Sequence, residues 1–277
     1  MNKEFNLFSK IFIFIILFLL AVLSILFLGF IFINTFKTPS EYIRSPLALP
    51  EVLNLTNYRT MFAQSKIGTS FINSLVIVSV SIIIEIFVCS LAAYSFAKYK
   101  FKGNNTIFTI FIALMIVPPI IIMLPLYMFF AKVHLIDTKT AMIIIYVGIA
   151  CPFALYFLTT NFRKIPTELI EAAKVDGASF YKIYWSIIIP LGMPAIVTLF
   201  ILDYVWLWNE LVLGLIFLQS TGTKTMTVNV ANIGSRFFTN QPLLLTGLFL
   251  SILPMLFIYI FAARFLMKGV TVGAVKG

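Results

Sequence analysis

Three acidic residues lie inside stretches that are otherwise strongly apolar. Glu85 is near the middle of one stretch, and Asp203 and Glu210 occupy the second half and the end of another. Helical spacing of i, i+3, i+4 and i+7 predicts one shared face for Asp203, Trp206, Leu207 and Glu210. A carboxylate binds hydroxyl groups and an aromatic ring stacks on the C–H face of a pyranose, so this face suits a carbohydrate. The acids could equally bond polar groups on a neighbouring helix, and the sequence leaves both interpretations open.

The remaining reactive residues do not form a catalytic or metal-binding pattern. His134 is the only histidine, and the sequence has neither an H-E-x-x-H motif nor a serine paired with a base. The G-x-x-x-x-G-K-[ST] nucleotide loop is missing, because Gly222-Thr223-Lys224-Thr225 lacks the upstream glycine. Cys89 and Cys151 fall in apolar runs and are predicted to pack there. We therefore expect no enzyme activity, no metal site and no cofactor bound by this chain.

The polar connection at 161–184 carries clear signals for two short helices. Pro166 suits the first position of a helix, where its missing N–H is no loss. Gly177 can adopt the left-handed conformation that ends a helix, and Ser179 can cap the next one. We expect a short helix, a sharp glycine turn and a second helix that runs to Pro190.

The first of these helices has a face with small side chains. Spacing of i, i+3, i+4 and i+7 places Leu169, Ala172, Ala173 and Asp176 on that face. Small residues let a partner surface approach the backbone closely. A helix lying on lipid is the alternative, but anionic headgroups would repel its three acids, Glu168, Glu171 and Asp176. Docking to a soluble partner is therefore favoured.

The composition identifies the solvent of this chain as a lipid bilayer. Of 277 residues, 61% are hydrophobic and 11% are charged, against roughly 25% charged in ordinary soluble domains. Such a chain cannot be disordered or a conventional soluble enzyme. The net charge of +10 fits the basic loops that flank membrane spans better than nucleic-acid binding, because no basic reading element is present.

Six apolar stretches are long enough to cross a bilayer as helices. They lie at about 11–35, 71–97, 106–131, 139–160, 185–217 and 242–267. The predicted fold is therefore an all-α polytopic membrane protein, with residues 1–277 forming a single transmembrane domain. Prolines within the third and fourth stretches, at 118, 119, 125 and 152, are expected to bend them.

The distribution of basic residues predicts that both termini lie in the cytoplasm. An even number of spans places the termini on one side, and lysine and arginine are more frequent on that side. The cluster of Lys98, Lys100 and Lys102 beside a span end is the strongest indicator. The 161–184 connection is then cytoplasmic.

The cytoplasmic connection resembles a motif of a known family. Glu171-Ala172-Ala173, three residues, Gly177, nine residues and then Ile187-x-Ile189-Pro190 is similar to the EAA loop of permease subunits of bacterial ABC importers, which usually has Leu at position 189. Further segments resemble the shorter, six-span partner of the maltose-type pair: Asn73-Ser74, residues 91–97, residues 135–138, Trp208-Asn209-Glu210 and the tail 268–277.

The resemblance implies an importer of a sugar or oligosaccharide that works by alternating access in the bacterial cytoplasmic (inner) membrane. It implies a second permease subunit, two ATPase subunits that bind ATP and Mg²⁺, and an extracytoplasmic solute-binding protein approached by residues 221–242. Surrounding lipid is a further partner. The residues matching the ATPase-coupling motif are Glu171, Ala172, Ala173, Asp176 and Gly177.

A proton-coupled secondary carrier of small polar solutes is the alternative function. Glu85 and Asp203 would then form a proton relay within the membrane. That scheme leaves the motif at 171–190 without a role, and no inverted repeat is visible in the sequence. Uptake by this chain alone, driven by a pH gradient, would distinguish the carrier from the importer.

Overall fold

The regular secondary structure of the described residues is entirely helical. The computed structural model describes residues 7–236 and 240–274, with side chains at 8–234 and 240–260. The helices are α1 (Leu7–Asn34), α2 (Pro39–Arg44), α3 (Thr56–Ala63), α4 (Ile67–Lys98), α5 (Asn104–Ala113), α6 (Pro119–Lys132), α7 (Lys139–Phe162), α8 (Thr167–Val175), α9 (Phe180–Ile183), α10 (Ile189–Trp208), α11 (Val212–Phe217), α12 (Met226–Arg236) and α13 (Gln241–Ala274). The predicted fold class is confirmed.

Among the described residues, five helical segments without a sharp bend are long and apolar enough to cross a membrane. Their ranges are Phe8–Asn34, Ile67–Lys98, Lys139–Phe162, Phe180–Trp208 and Gln241–Ile260. In α1, no residue of the most apolar stretch is buried by the rest of the chain. Exposed side chains of this kind require lipid or another subunit as their solvent.

The third predicted stretch, at 106–131, consists of two helices rather than one. Asn104–Ile116 and Pro119–Lys132 meet at an angle of 97°. The cause is local, since a residue that precedes proline is driven out of the helical region. Val117 and Pro118 each precede a proline, and both are extended, with ψ of 112° and 131°. Pro125 and Pro152 lie inside α6 and α7 without breaking them.

The fifth predicted stretch, at 185–217, has different ends from those expected. Helical structure continues through Pro190, which corrects the prediction that a helix ends there. A π-helical turn at Tyr184–Ile188 precedes α10, and Pro190 then falls in the first turn of α10, where its missing N–H is tolerated. At the other end, α10 stops at Trp208 and α11 begins separately at Val212.

The described chain forms two compact units. One comprises residues 1–67 and 230–253 and the other comprises 68–229 and 254–277, within the described ranges. In the first unit, polar bonds fix the connection after α1. Asn57 donates to the carbonyls of Thr35 (2.8 Å) and Lys37 (2.9 Å), and the buried ammonium of Lys37 donates to Ser45 and Pro46 carbonyls.

The second unit is built around the packing of α4, α5, α7 and α10. Its buried cluster includes Tyr94, Leu158, Phe162, Ile170 and Tyr184. Gly192 lets α10 approach α7, since a Cβ there would lie 2.5 Å from the ring of Phe162. This core reaches the short helix α8 at one end.

Candidate functional sites

One buried side chain attaches α8 to the core of its unit. Ile170 is 1% exposed and packs within the core cluster, and Ala173 is partly buried against the same cluster. A nine-residue helix is marginal on its own in water. Burial of Ile170 therefore supplies stability that the isolated sequence lacks.

The turn after α8 has the predicted glycine conformation. Gly177 has φ of +75°, and the N–H groups of Gly177 and Ala178 donate to the carbonyls of Lys174 (3.0 Å) and Ala173 (2.9 Å). This is the Schellman pattern of helix termination. Ser179 then accepts a bond from the N–H of Lys182 as the cap of α9, as predicted. Pro166 precedes α8 by one residue instead of occupying its first position.

The predicted docking face of α8 is uncovered within the described chain. Glu171, Ala172, Asp176 and Gly177 are exposed, and Ala173 is half-buried. Beside this face, the side chain of Val175 is 89% exposed. Apart from Ala173, the exposed surface of α8 therefore presents acidic, small and apolar side chains to a partner.

Basic side chains join the surroundings of α8 to the end of α4. The ammonium of Lys98 donates to the carbonyl oxygens of Arg163 and Ile165, which follow the C-terminus of α7. Lys174 on α8 places its ammonium 4.4 Å from the ring centroid of Tyr99. A displacement of α8 would therefore change these contacts at the end of α4.

Aromatic rings continue this connection into the membrane spans. Tyr94 lies 4.7 Å from Phe180 and 6.2 Å from Tyr184, measured between ring centroids. The hydroxyl of Tyr184 is 2.7 Å from that of Ser90 on α4. Packed rings resist independent movement, so α4, α9 and the turn that precedes α10 should move together.

Glu85 is completely buried in the middle of α4. Both of its carboxylate oxygens lack a hydrogen-bond partner among the described residues. Its neighbours at i−4 and i+4, Ser81 and Cys89, approach the α7 carbonyls of Ile143 (3.5 Å) and Cys151 (3.6 Å). Glu85 therefore belongs to the stripe of α4 that faces α7.

Asp203 and Trp206 line the same cavity, as their shared helical face predicts. The cavity has a volume of about 800 Å³ and is lined by the 3₁₀ turn at Leu114–Ile116 and by α6, α7 and α10. Asp203 is 3% exposed, and its Oδ2 atom lacks a hydrogen-bond partner within the described chain. The other lining residues are mainly apolar, so the carboxyl of Asp203 is the principal polar group there.

Glu210 is separated from that face by the end of α10 at Trp208. Its Oε1 accepts a bond from the N–H of Leu213 (2.8 Å), and its Oε2 accepts from the N–H of Gly214 and the hydroxyl of Tyr146, each at 3.1 Å. The carboxylate therefore caps the start of α11. The prediction that Glu210 lies on one helical face with Asp203 is wrong, because the helix ends before it.

Two residues at the start of α4 hold a segment that is distant in sequence. We use the name outer segment for residues 217–226, because the sequence predicts that they lie on the outer side of the membrane. The Asn73 side chain donates to the carbonyls of Gly222 (2.8 Å) and Lys224 (3.1 Å). Ser74 accepts a bond from the N–H of Met226 at 2.7 Å. These bonds fix the second half of the outer segment.

Asp137, just before α7, fixes the first half. Its Oδ1 accepts bonds from the N–H groups of Gln219 (2.9 Å) and Ser220 (3.0 Å) and from the hydroxyl of Thr223. Burial alone would raise the pKa of Asp137, but these hydrogen bonds to the ionised carboxylate lower it below its usual value. Asn73, Ser74 and Asp137 lie in segments whose sequence resembles that of the family. Their hydrogen bonds to the outer segment were not predicted.

Two segments that the sequence analysis singled out fall partly outside the described residues. Within 221–242, residues 237–239 are not described, and neither are the side chains of 235 and 236. In the tail 268–277, the described helix ends at Ala274 and its side chains are not described.

Comparison with known proteins places the chain in a transport family. Residues 86–270 match the family described as binding-protein-dependent transport system inner membrane component. A probable starch degradation products transport system permease protein of Thermoanaerobacterium thermosulfurigenes is 34% identical, covering 95% of this chain and 97% of that one. An arabinooligosaccharides transport system permease protein of Bacillus subtilis is 33% identical, covering 92% and 93%.

A solved structure shares the fold. It is a crystal structure of a bacterial ABC transporter involved in the import of the acidic polysaccharide alginate, with a TM-score of 0.80 at 18% identity, covering 95% of this chain and 99% of that one. The family match and the relatives named as permeases favour the importer over the proton-coupled carrier. The chain belongs to the binding-protein-dependent transport system inner membrane components and is a permease subunit of an ABC importer.

Proposed function

We propose that this subunit carries a sugar or oligosaccharide across the cytoplasmic membrane by alternating access. The observation that carries the proposal is the exposed helix α8, ended by a left-handed glycine. The relatives of the chain are named for transport of starch degradation products and arabinooligosaccharides. The helix offers a contact for a separate motor, and the membrane helices offer the path.

The contact residues proposed for the ATPase are Glu171, Ala172, Ala173, Asp176 and Gly177. This role is supported by the exposure of four of them, all except the half-buried Ala173, and by the adjacent exposed side chain of Val175. ATP and Mg²⁺ would be bound by two partner ATPase subunits, and this chain would bind no cofactor. The proposal requires α8 and both termini to face the cytoplasm, as Lys98, Lys100 and Lys102 indicate.

The complete importer would contain further protein partners. We propose a different, second permease subunit in a heterodimer, together with an extracytoplasmic solute-binding protein. Lipid or the second subunit would cover the exposed apolar surface of α1. No nucleic-acid partner is proposed.

For the substrate path, Asp203 and Trp206 have the best support. They line the same cavity, in which the buried Oδ2 atom of Asp203 can accept a hydrogen bond from a substrate hydroxyl. Trp206 is 46% exposed. We propose that Glu85 acts beside the path, supported by its burial in the membrane without a partner in the described chain. Glu210 would shape the path indirectly, through its cap on α11.

Reconstitution tests the function. The complex that copurifies with this chain from its native membrane would be placed in liposomes with its solute-binding protein. Uptake would be measured for starch-derived oligosaccharides, arabino-oligosaccharides and alginate oligosaccharides. We expect uptake of at least one class that requires internal ATP and stops with a non-hydrolysable analogue. Uptake driven by a pH gradient without ATP would contradict the proposal.

The path is tested separately with Asp203→Ala. We expect lower uptake with basal ATP hydrolysis retained, because the change removes a hydroxyl-binding group without touching α8. Leu202→Ala is the matched control, since Leu202 lines the same cavity without a polar group. Unchanged uptake kinetics in Asp203→Ala would remove Asp203 from the path.

A further inference from the structure

The outer segment is held at both ends by side chains from elsewhere in its unit. Asp137 binds residues 219, 220 and 223, while Asn73 and Ser74 bind residues 222, 224 and 226. The backbone of Asp137 adds a further bond, from its N–H to the carbonyl of Phe217 at 3.0 Å. Such dense bonding to backbone groups fixes the path of the chain and not merely its ends.

The backbone of Asp137 is itself in an uncommon conformation. Its φ is +60°, a region that aspartate and asparagine tolerate better than other non-glycine residues. This conformation lets the N–H and the carboxylate of one residue bind the same segment. This uncommon conformation is stabilised by four hydrogen bonds to one segment. We conclude that Asp137 holds that segment in position.

The fixed backbone carries an exposed tip. Residues 219–222 are all exposed and all uncharged, whereas Lys224, Thr225 and Met226 beyond them are buried. Because Asp137 occupies the N–H groups of Gln219 and Ser220, the tip presents polar side chains on a backbone that is already ordered. A protein that docks onto such a surface loses less conformational freedom than one that must first order a mobile loop.

We propose that Asp137 is a positioning residue that preorganises residues 219–222 as a contact surface for the solute-binding protein. This inference rests on the proposed function, because it takes the outer segment to face the side from which that protein arrives. Asp137 itself does not contact the partner; it holds the backbone of the surface that does.

The first test measures order at the tip without any partner. A spin label at Thr221→Cys would be placed in the complete complex in lipid nanodiscs, with Cys89 and Cys151 replaced by serine. We expect Asp137→Ala to increase the mobility of the label, and Asp137→Asn to restore most of the order because asparagine keeps an acceptor oxygen and tolerates positive φ. An immobile label in Asp137→Ala would overturn the proposal.

Matched variants separate this role from general damage. His134→Asn changes a residue that also has positive φ, +56°, but makes no side-chain hydrogen bond with the described part of the chain, so the label should stay ordered. Thr223→Val removes the hydroxyl that donates to the carboxylate of Asp137 and leaves Asp137 itself unchanged. This variant should increase the mobility of the label, and it can be measured even if the complex with Asp137→Ala fails to assemble. An ordered label in Thr223→Val would also count against the proposal.

The second test measures docking in the same complexes. The readout is the concentration of solute-binding protein, loaded from the oligosaccharide panel above, that half-maximally stimulates ATP hydrolysis. We expect Asp137→Ala to raise that concentration about tenfold, as expected for the loss of one to two net hydrogen bonds, with the maximal rate retained. Asp137→Asn should largely restore the wild-type value.

The outcomes distinguish this inference from the proposed function. If the wild-type complex is not stimulated by its solute-binding protein, the proposed function fails. If the wild type is stimulated and Asp137→Ala shows the same half-maximal concentration, only the positioning role of Asp137 fails. A lowered maximal rate with an unchanged half-maximal concentration would also contradict it.

Discussion

The connection that contains α8 and the outer segment are stabilised in opposite ways. Apolar burial of Ile170 attaches α8, and most of its remaining surface is exposed. Polar bonds from Asn73, Ser74 and Asp137 to backbone groups hold the outer segment. A helix attached by packing can move with the core beneath it, whereas a segment bonded residue by residue keeps its shape.

This difference suits two kinds of contact. A motor contact must transmit displacement, and α8 is connected to the spans through Lys174, Tyr99 and the ring of Phe180. A docking contact must be recognised in one conformation. The following changes test whether the two connections differ in this way, beginning with the largest effect.

The largest effect is expected from Gly177→Pro. Proline requires φ near −65° and cannot adopt the +75° of this position, so the turn after α8 should be lost. We expect coupled uptake to be abolished while the protein remains in the membrane. Gly177→Ala, whose Cβ meets nothing within 4 Å, should cost about 1–2 kcal/mol from backbone strain alone. Reconstituted uptake and stimulated ATP hydrolysis provide the measurement.

The matched control is Gly29→Ala in α1. A Cβ there also meets nothing within 4 Å, and this glycine is not among those with positive φ. Alanine should therefore have little effect. Equal losses of uptake in the two alanine variants would refute the special role of the turn at Gly177.

A smaller effect is expected from Ile170→Ala. Removing this buried side chain should cost about 2–5 kcal/mol in the packing of α8. Both the thermal midpoint in nanodiscs and coupled uptake should fall. Val175→Ala should leave the thermal midpoint unchanged, because Val175 is 89% exposed, yet should weaken ATPase binding. A lower thermal midpoint for Val175→Ala than for Ile170→Ala would show that Ile170 is not the side chain that attaches α8 to the core.

Asn73→Ala should have the next largest effect. It removes two bonds and leaves the carbonyls of Gly222 and Lys224 short of a donor, at a cost of about 1–3 kcal/mol. We expect faster amide exchange within residues 217–226 and unchanged exchange in α8. Loss of protection in both regions would mean that the two connections are not independently stabilised.

The smallest effect is the response of the outer segment to acid. Because hydrogen bonds lower the pKa of Asp137, its contribution to stability is present above the usual aspartate pKa of about 3.9 and is lost only as pH falls through the lowered value. The spin label at position 221 should therefore stay ordered from pH 7 to pH 4 and loosen below that range. A transition near neutral pH would contradict this assignment.

Local signals in the sequence predicted the α8 connection well. The turn at Gly177 and the cap at Ser179 depend on residues a few positions apart, and both are confirmed. The bend at Pro118 was expected for the same reason. Prediction was wrong at Pro190, where an inserted π turn lets the helix continue, and at Glu210, which the early end of α10 removes from the expected face.

The bonds of the outer segment could not be predicted in this way. Asn73 and Gly222 are 149 residues apart, and Asp137 and Gln219 are 82 apart. Neither pair leaves a periodic pattern in the sequence, since each bond joins one side chain to a backbone group of any residue type. Motif resemblance marked the residues, but only the fold brings them to their partners.

Cross-linking from Val175 is the most direct test of the central claim that α8 is the contact with the ATPase. Val175→Cys, with Cys89 and Cys151 replaced by serine, would be treated with a short thiol-reactive cross-linker in the complex purified from native membranes. We predict a cross-link to the ATPase subunit whose yield changes when ATP is added. Labelling of Val175→Cys by a membrane-impermeant reagent applied outside intact cells, with no cross-link to the ATPase, would contradict the account.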